Sequence, residues 1–155
     1  MAIASQGGKD LTYFAQSPEA TRGTYMADLN VTTLVATPDG PVAAAAWSRQ
    51  PERLRIPLLL NLSQYEALFG FEGFAVLRDA KRPLEVRVFP DEGHMKYHPR
   101  NFAGVYDNNM MWLKFWLKGE EDPRPEFRDQ YGRWEAMRAR LQAERAVEGD
   151  RHDPQ

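Results

Sequence analysis

Residues 56–89 leave this chain little choice of architecture. Ile56-Pro57-Leu58-Leu59-Leu60-Asn61-Leu62 is a continuous apolar run of strand length bounded by polar residues, the pattern of a strand covered on both faces. From Glu66 to Ala80, Leu68, Phe69, Phe71, Phe74, Ala75, Val76 and Leu77 fall at near-helical spacing before Lys81-Arg82-Pro83 ends the run. Basic residues in a last turn suit the helix dipole, and a proline just beyond cannot continue the helix. Leu84 to Phe89 then alternates Leu84, Val86 and Val88 with Glu85 and Arg87 and stops at Pro90, which has no N–H for a ladder. Strand, helix and strand joined over this length form a βαβ unit, so the two strands are expected to be parallel neighbours.

Asp91-Glu92-Gly93 follows as a turn and delivers His94 just past the end of the second strand. Open α/β sheets hold their chemistry at that edge. A lone histidine after a strand is also a common capping or surface residue, and Asp91-Glu92 reads as turn chemistry rather than acid–base work. His98 lies four residues on, but no third ligand follows it, so neither a metal nor a cofactor is expected.

The rest of the chain supplies helices and a less regular beginning. Asn101 to Lys118 carries Phe102, Val105, Tyr106, Met110, Leu113 and Leu117 on one stripe, widened by Met111, Trp112, Phe115 and Trp116. Gly119 is the candidate C-cap, and Pro123 and Pro125 forbid continuation. Phe127 to Arg145 predicts a second helix with Tyr131, Trp134, Met137 and Leu141 on a narrow stripe, and residues 147–155 read as a disordered tail. Ala2-Ile3-Ala4 fits the end of a strand. Residues 29–36 fit a strand or a helical excursion, Pro38-Asp39-Gly40-Pro41 a turn, and residues 41–49 a short helix.

Composition narrows the function. With 155 residues the chain is long enough for one domain with a core and short for a whole hydrolase. A net charge of -2 with both signs interspersed offers nothing to nucleic acid or an anionic membrane. The absence of cysteine removes disulfides, thiolate nucleophiles and cysteine metal sites together, and leaves the compartment open. MAIASQGGKD lacks a basic region followed by an apolar run, and no window reaches membrane-spanning length, so a soluble chain without a secretory signal is expected.

The segment FPDEGH, residues 89–94, resembles the catalytic-histidine turn of the prolyl-oligopeptidase branch of the α/β-hydrolases, serine peptidase family S9. FPDEGHMKYHPRN followed by VYDNNMMWLKFWLKG is most similar to the subgroup that opens lasso peptides, the lasso peptide isopeptidases. The similarity runs from Ile3 to Trp134 and is densest from Ile56 to Lys118. It implies an α/β protein: a partial α/β-hydrolase fold with a mainly parallel sheet flanked by helices and with C-terminal helices. Residues 1–146 would be the C-terminal portion of the catalytic domain. Triads in this fold arrive in the order Ser, Asp or Glu, His. His94 would be the base. Glu66, nine residues after Pro57, stands where the family has its triad acid, usually aspartate but glutamate in the lasso subgroup.

The nucleophile has no counterpart. No Gly-x-Ser-x-Gly occurs, and the serines are Ser5, Ser17, Ser48 and Ser63. Ser5-Gln6-Gly7-Gly8 imitates the second half of such an elbow, but Ile3-Ala4 before it lacks the glycine and no amphipathic helix follows. Residues 1–8 align better with the strand after the elbow helix. The resemblance thus implies part of a peptide- or isopeptide-bond hydrolase with acid and histidine but no serine, inactive by itself. Its partners would be a peptide substrate, once a serine-bearing half completes the site, and further copies of the chain through an exposed sheet edge. The alternative is a non-catalytic binding or vestigial domain.

Overall fold

A computed structural model describes residues 3–5, 49–68 and 71–150. The elements expected between residues 29 and 48 lie outside them. Three strands form a parallel sheet in the order β1 (Ile3–Ser5), β2 (Leu58–Ser63), β3 (Leu84–Phe89). Ile3 pairs with Leu58 and Ser5 with Leu60, while β2 and β3 run in register from Leu58–Leu84 to Ser63–Phe89. The parallel neighbours expected from the βαβ pattern are therefore present, with β2 in the middle and buried at every residue.

Side chains alternate across a strand, and β2 sorts its contacts accordingly. Leu58, Leu60 and Leu62 form one cluster with Ala67, Leu54, Phe74, Leu84 and Val86. Leu59 points the other way into an aromatic core with Trp112, Phe115, Tyr131 and Trp134. The sheet is thus covered on both faces, which explains why its central strand reads as an unbroken apolar run.

The cover on the first face is two helices, α1 (Gln64–Leu68) and α2 (Phe71–Asp79), where the sequence suggests one from Glu66 to Ala80. The first of them starts ahead of Glu66, and the physical reason for that start lies at Ser63. Its hydroxyl accepts the Glu66 N–H and its own N–H donates to the Glu66 carboxylate, a reciprocal capping box that starts a helix directly off the strand. After α2, Lys81 adopts a left-handed φ of 56°, and Arg82 N–H returns to the Leu77 carbonyl at 2.8 Å.

The cover on the second face is α3 (Pro99–Lys118) and α4 (Arg128–Asp150). α3 begins two residues ahead of the expected Asn101, because Pro99 occupies a first-turn position that needs no N–H. It ends as expected at Gly119, whose φ of 71° is left-handed and whose N–H reaches the Phe115 carbonyl at 3.0 Å. α4 continues to Asp150, into the stretch read as a tail. Two ion pairs tie it back: Arg82 to Glu144 at 2.6 Å and Arg133 to the buried Glu85 at 3.0 Å. Among the described residues no helix is long and apolar enough to cross a membrane.

Candidate active site

β2 and β3 finish level, with Ser63 opposite Phe89, so the segments leaving them start side by side. From β2 the chain enters α1 at once, and the capping box holds Glu66 Oε2 2.9 Å from the Ser63 amide. One turn in, Glu66 is therefore anchored at the sheet edge with its second oxygen free to take another partner. From β3 the chain turns at Asp91, whose φ is 57° and whose N–H reaches Gln64 Oε1 at 3.3 Å. Asp91 thus does the turn work expected of it.

Glu92 does something else. Its side chain is fully buried, and the loop wraps around it. The carboxylate accepts the Tyr97 N–H at 2.7 Å, the His98 N–H at 3.1 Å and the Asn101 amide at 2.9 Å, and the His98 ring nitrogen lies 2.9 Å away. Burial raises the acid's pKa, but these donors outweigh it and hold the carboxyl at about 2. Glu92 is the anchor of the loop from Asp91 to Asn101, a role beyond the turn chemistry read from the sequence. His98 spends its inner nitrogen on that anchor.

The structure brings His94 and Glu66 together. His94 Nδ1 is hydrogen-bonded to Glu66 Oε1. Oε2 keeps the Ser63 amide and also faces Lys96 Nζ at 3.4 Å. Lys96 donates in addition to the His94 carbonyl at 3.1 Å, and its side chain is buried to 1% exposure. Burial raises the Glu66 pKa, yet the bonds from His94 and Ser63 and the Lys96 charge together bring it below the ordinary glutamate value. The imidazole is 69% exposed against 18% for Glu66, so the pair is an acid held inside and a ring facing out. With the carboxylate ionised, Nδ1 carries the proton it donates to Oε1, and in the neutral ring that leaves the lone pair on Nε2. That is the arrangement of a general base with its orienting acid.

Between the loop after His94 and α3, Met95, Lys96, Phe102, Val105, Tyr106 and Asn109 line a recess of about 190 Å³. Ser5 is far from this edge. It pairs with Leu60, three residues short of Ser63, or roughly 10 Å back along the strand direction.

Sequence reasoning did not reach Lys96, the burial of Glu92 or the Ser63 cap. The cap alone had a readable signal, Ser63-Gln64-Tyr65-Glu66, which fits the S-x-x-E signature before a helix.

No protein-family model matches the chain. It is 38% identical over 102 residues, 65% of its length, to the lasso peptide isopeptidase AtxE2 of Asticcacaulis excentricus. It spans 15% of the length of that relative. Among solved structures it matches AtxE2 isopeptidase in the apo state with a TM-score of 0.77 at 30% identity. It matches a serine-to-alanine variant of AtxE2 with astexin3-dC4 bound with a TM-score of 0.76 at 29% identity. Each match covers 91% of this chain and 22% of the other. In sequence and in fold, then, this chain is similar to part of a lasso peptide isopeptidase, of the S9 subgroup, and its parallel sheet flanked by helices has a partial α/β-hydrolase fold.

Proposed function

We propose that the chain carries the acid–base half of a serine-type hydrolysis of peptide or isopeptide bonds, with His94 as base and Glu66 as its orienting acid. The observation behind this reading is the Nδ1–Oε1 hydrogen bond at the level C-terminal ends of two adjacent parallel strands. A serine-bearing half, from another chain or from sequence beyond these 155 residues, would present its hydroxyl to Nε2. His94 takes the hydroxyl proton as the serine oxygen attacks the carbonyl carbon, then gives it to the departing amine. A water molecule repeats both transfers and releases the acid product. Glu66 keeps Nδ1 protonated throughout and stabilises the imidazolium between transfers. Nucleic acid, membrane and cofactors have no part in the proposal.

The non-catalytic alternative draws on the capping box, which gives Glu66 a structural task of its own. That task uses Oε2 and the Ser63 groups and leaves the Oε1–imidazole bond without a reason.

A chimera tests the proposal: AtxE2 isopeptidase with its matching segment replaced by this chain. It is expected to retain isopeptidase activity, and His94→Ala or Glu66→Gln should lower kcat on the order of 10⁴-fold. A folded chimera whose activity survives His94→Ala sinks the assignment. The unfused chain should not react with a fluorophosphonate probe, and stoichiometric labelling at Ser5 would overturn the divided-site reading.

A further inference from the structure

Lys96 takes no part in the proton transfers between serine, His94 and Glu66. It is a buried ammonium in direct reach of both members of the pair. Its side chain is 1% exposed, with Nζ 3.4 Å from Glu66 Oε2 and 3.1 Å from the carbonyl oxygen of His94. Lysine side chains are seldom buried unless paired, and a flexible four-carbon stem does not end on two functional residues by packing preference alone. One contact falls on the acid's side chain and the other on the base's backbone, so a single cation ties α1 to the loop after β3. It sits on Oε2, the oxygen turned away from the imidazole, and competes with nothing at Oε1.

We propose, resting on the acid–base reading of Glu66 and His94, that Lys96 is a positioning residue that clamps the two together and keeps the Glu66 carboxylate ionised and turned towards Nδ1. The groups acting on that carboxyl from the elements around it are the His94 ring, the Ser63 amide and the Lys96 ammonium. Lys96 is the one among them that brings a cationic side chain from outside the pair. Its loss should be felt at Glu66 whatever the protonation state of the ring.

The test is the titration of the Glu66 side-chain carboxyl by carbon-detected NMR in the full chain and in three variants. Lys96→Gln keeps a donor and removes the charge, and should raise the Glu66 pKa. Lys96→Arg keeps the charge and should leave that value near the unaltered one. A filler of space would respond in the reverse pattern, because arginine changes the shape more than glutamine does. His94→Gln separates the proposal from the reading beneath it. If that variant leaves the Glu66 titration unmoved, the acid–base pair itself is refuted. If it shifts the titration while Lys96→Gln does not, Lys96 alone is refuted. A measurement on the unaltered chain covers the case in which Lys96→Gln does not fold. The Lys96 ammonium nitrogen should follow the Glu66 titration as a step in its own chemical shift, and a nitrogen blind to that step overturns the proposal.

Discussion

Glu66 divides its carboxylate between two tasks that a single oxygen could not serve. Oε2 takes the Ser63 amide and faces Lys96, while Oε1 is left for the imidazole. Glutamate suits this better than aspartate would, since the capping box needs a side chain that reaches back one turn. Glu92 divides its oxygens as well, but inward, and the loop that presents His94 depends on its ionised form. A carboxyl whose folded pKa is about 2 against an ordinary 4.5 stabilises the fold above the ordinary value. That contribution is lost as pH falls towards the folded one. The stability of the unaltered chain should therefore drop between pH 4.5 and about 2, and Glu92→Gln should flatten that part of the profile while lowering stability at pH 7. Urea unfolding across the range measures it. A variant as steep as the parent would show that the acid sensitivity arises elsewhere.

At the scale of elements, α3 and α4 are joined by aromatic packing more than by loops. Trp112 and Trp134 meet edge to face with ring centres 4.9 Å apart, and the Phe115 ring lies tilted 5.5 Å from Trp134 and 5.8 Å from Tyr131. Trp134 makes two of these three contacts between the helices, and it is 1% exposed. Trp134→Ala should cost about 3–5 kcal/mol, the range for emptying a core aromatic site, read as a lower urea midpoint with near-parent slope. A loss under about 1 kcal/mol, the scale of a surface substitution, would mean that α4 does not hold α3 to the sheet.

At the scale of the whole molecule, the outward stripe of α3 is unusually apolar. Phe102, Tyr106 and Met110, spaced by four, are 49%, 59% and 52% exposed. Met95 and Tyr97 on the neighbouring loop are 59% and 77% exposed. Apolar patches of this kind drive association, and β1 and β3, the outer strands of the described sheet, each pair on one side only. Expressed alone, the chain is expected to self-associate, eluting in light-scattering chromatography as species heavier than 17.8 kDa. A monodisperse monomer that melts cooperatively would show that it closes its own core.

What could be read in the sequence was whatever local pattern dictates. The apolar run at 56–62, the alternation at 84–89 and the proline stop imply parallel strands and a shared edge. Gly119 declares a helix end because only a residue without Cβ enters the left-handed region cheaply. The meeting of Glu66 and His94 followed from topology, since parallel neighbours deliver their next residues to one place. The rest depended on the folded chain. Nothing adjacent to Glu92 in sequence says that its carboxylate is buried, because its donors come five to nine residues later and converge only once the loop closes. Lys96 reads as an ordinary surface cation until α1 is placed beside it. Asn61 reads as a break in an apolar strand until Asn109 of α3 accepts its amide at 2.8 Å. Periodicity is a property of the chain, whereas the partner of a buried polar group is set by which elements pack against it, and that only the tertiary structure decides.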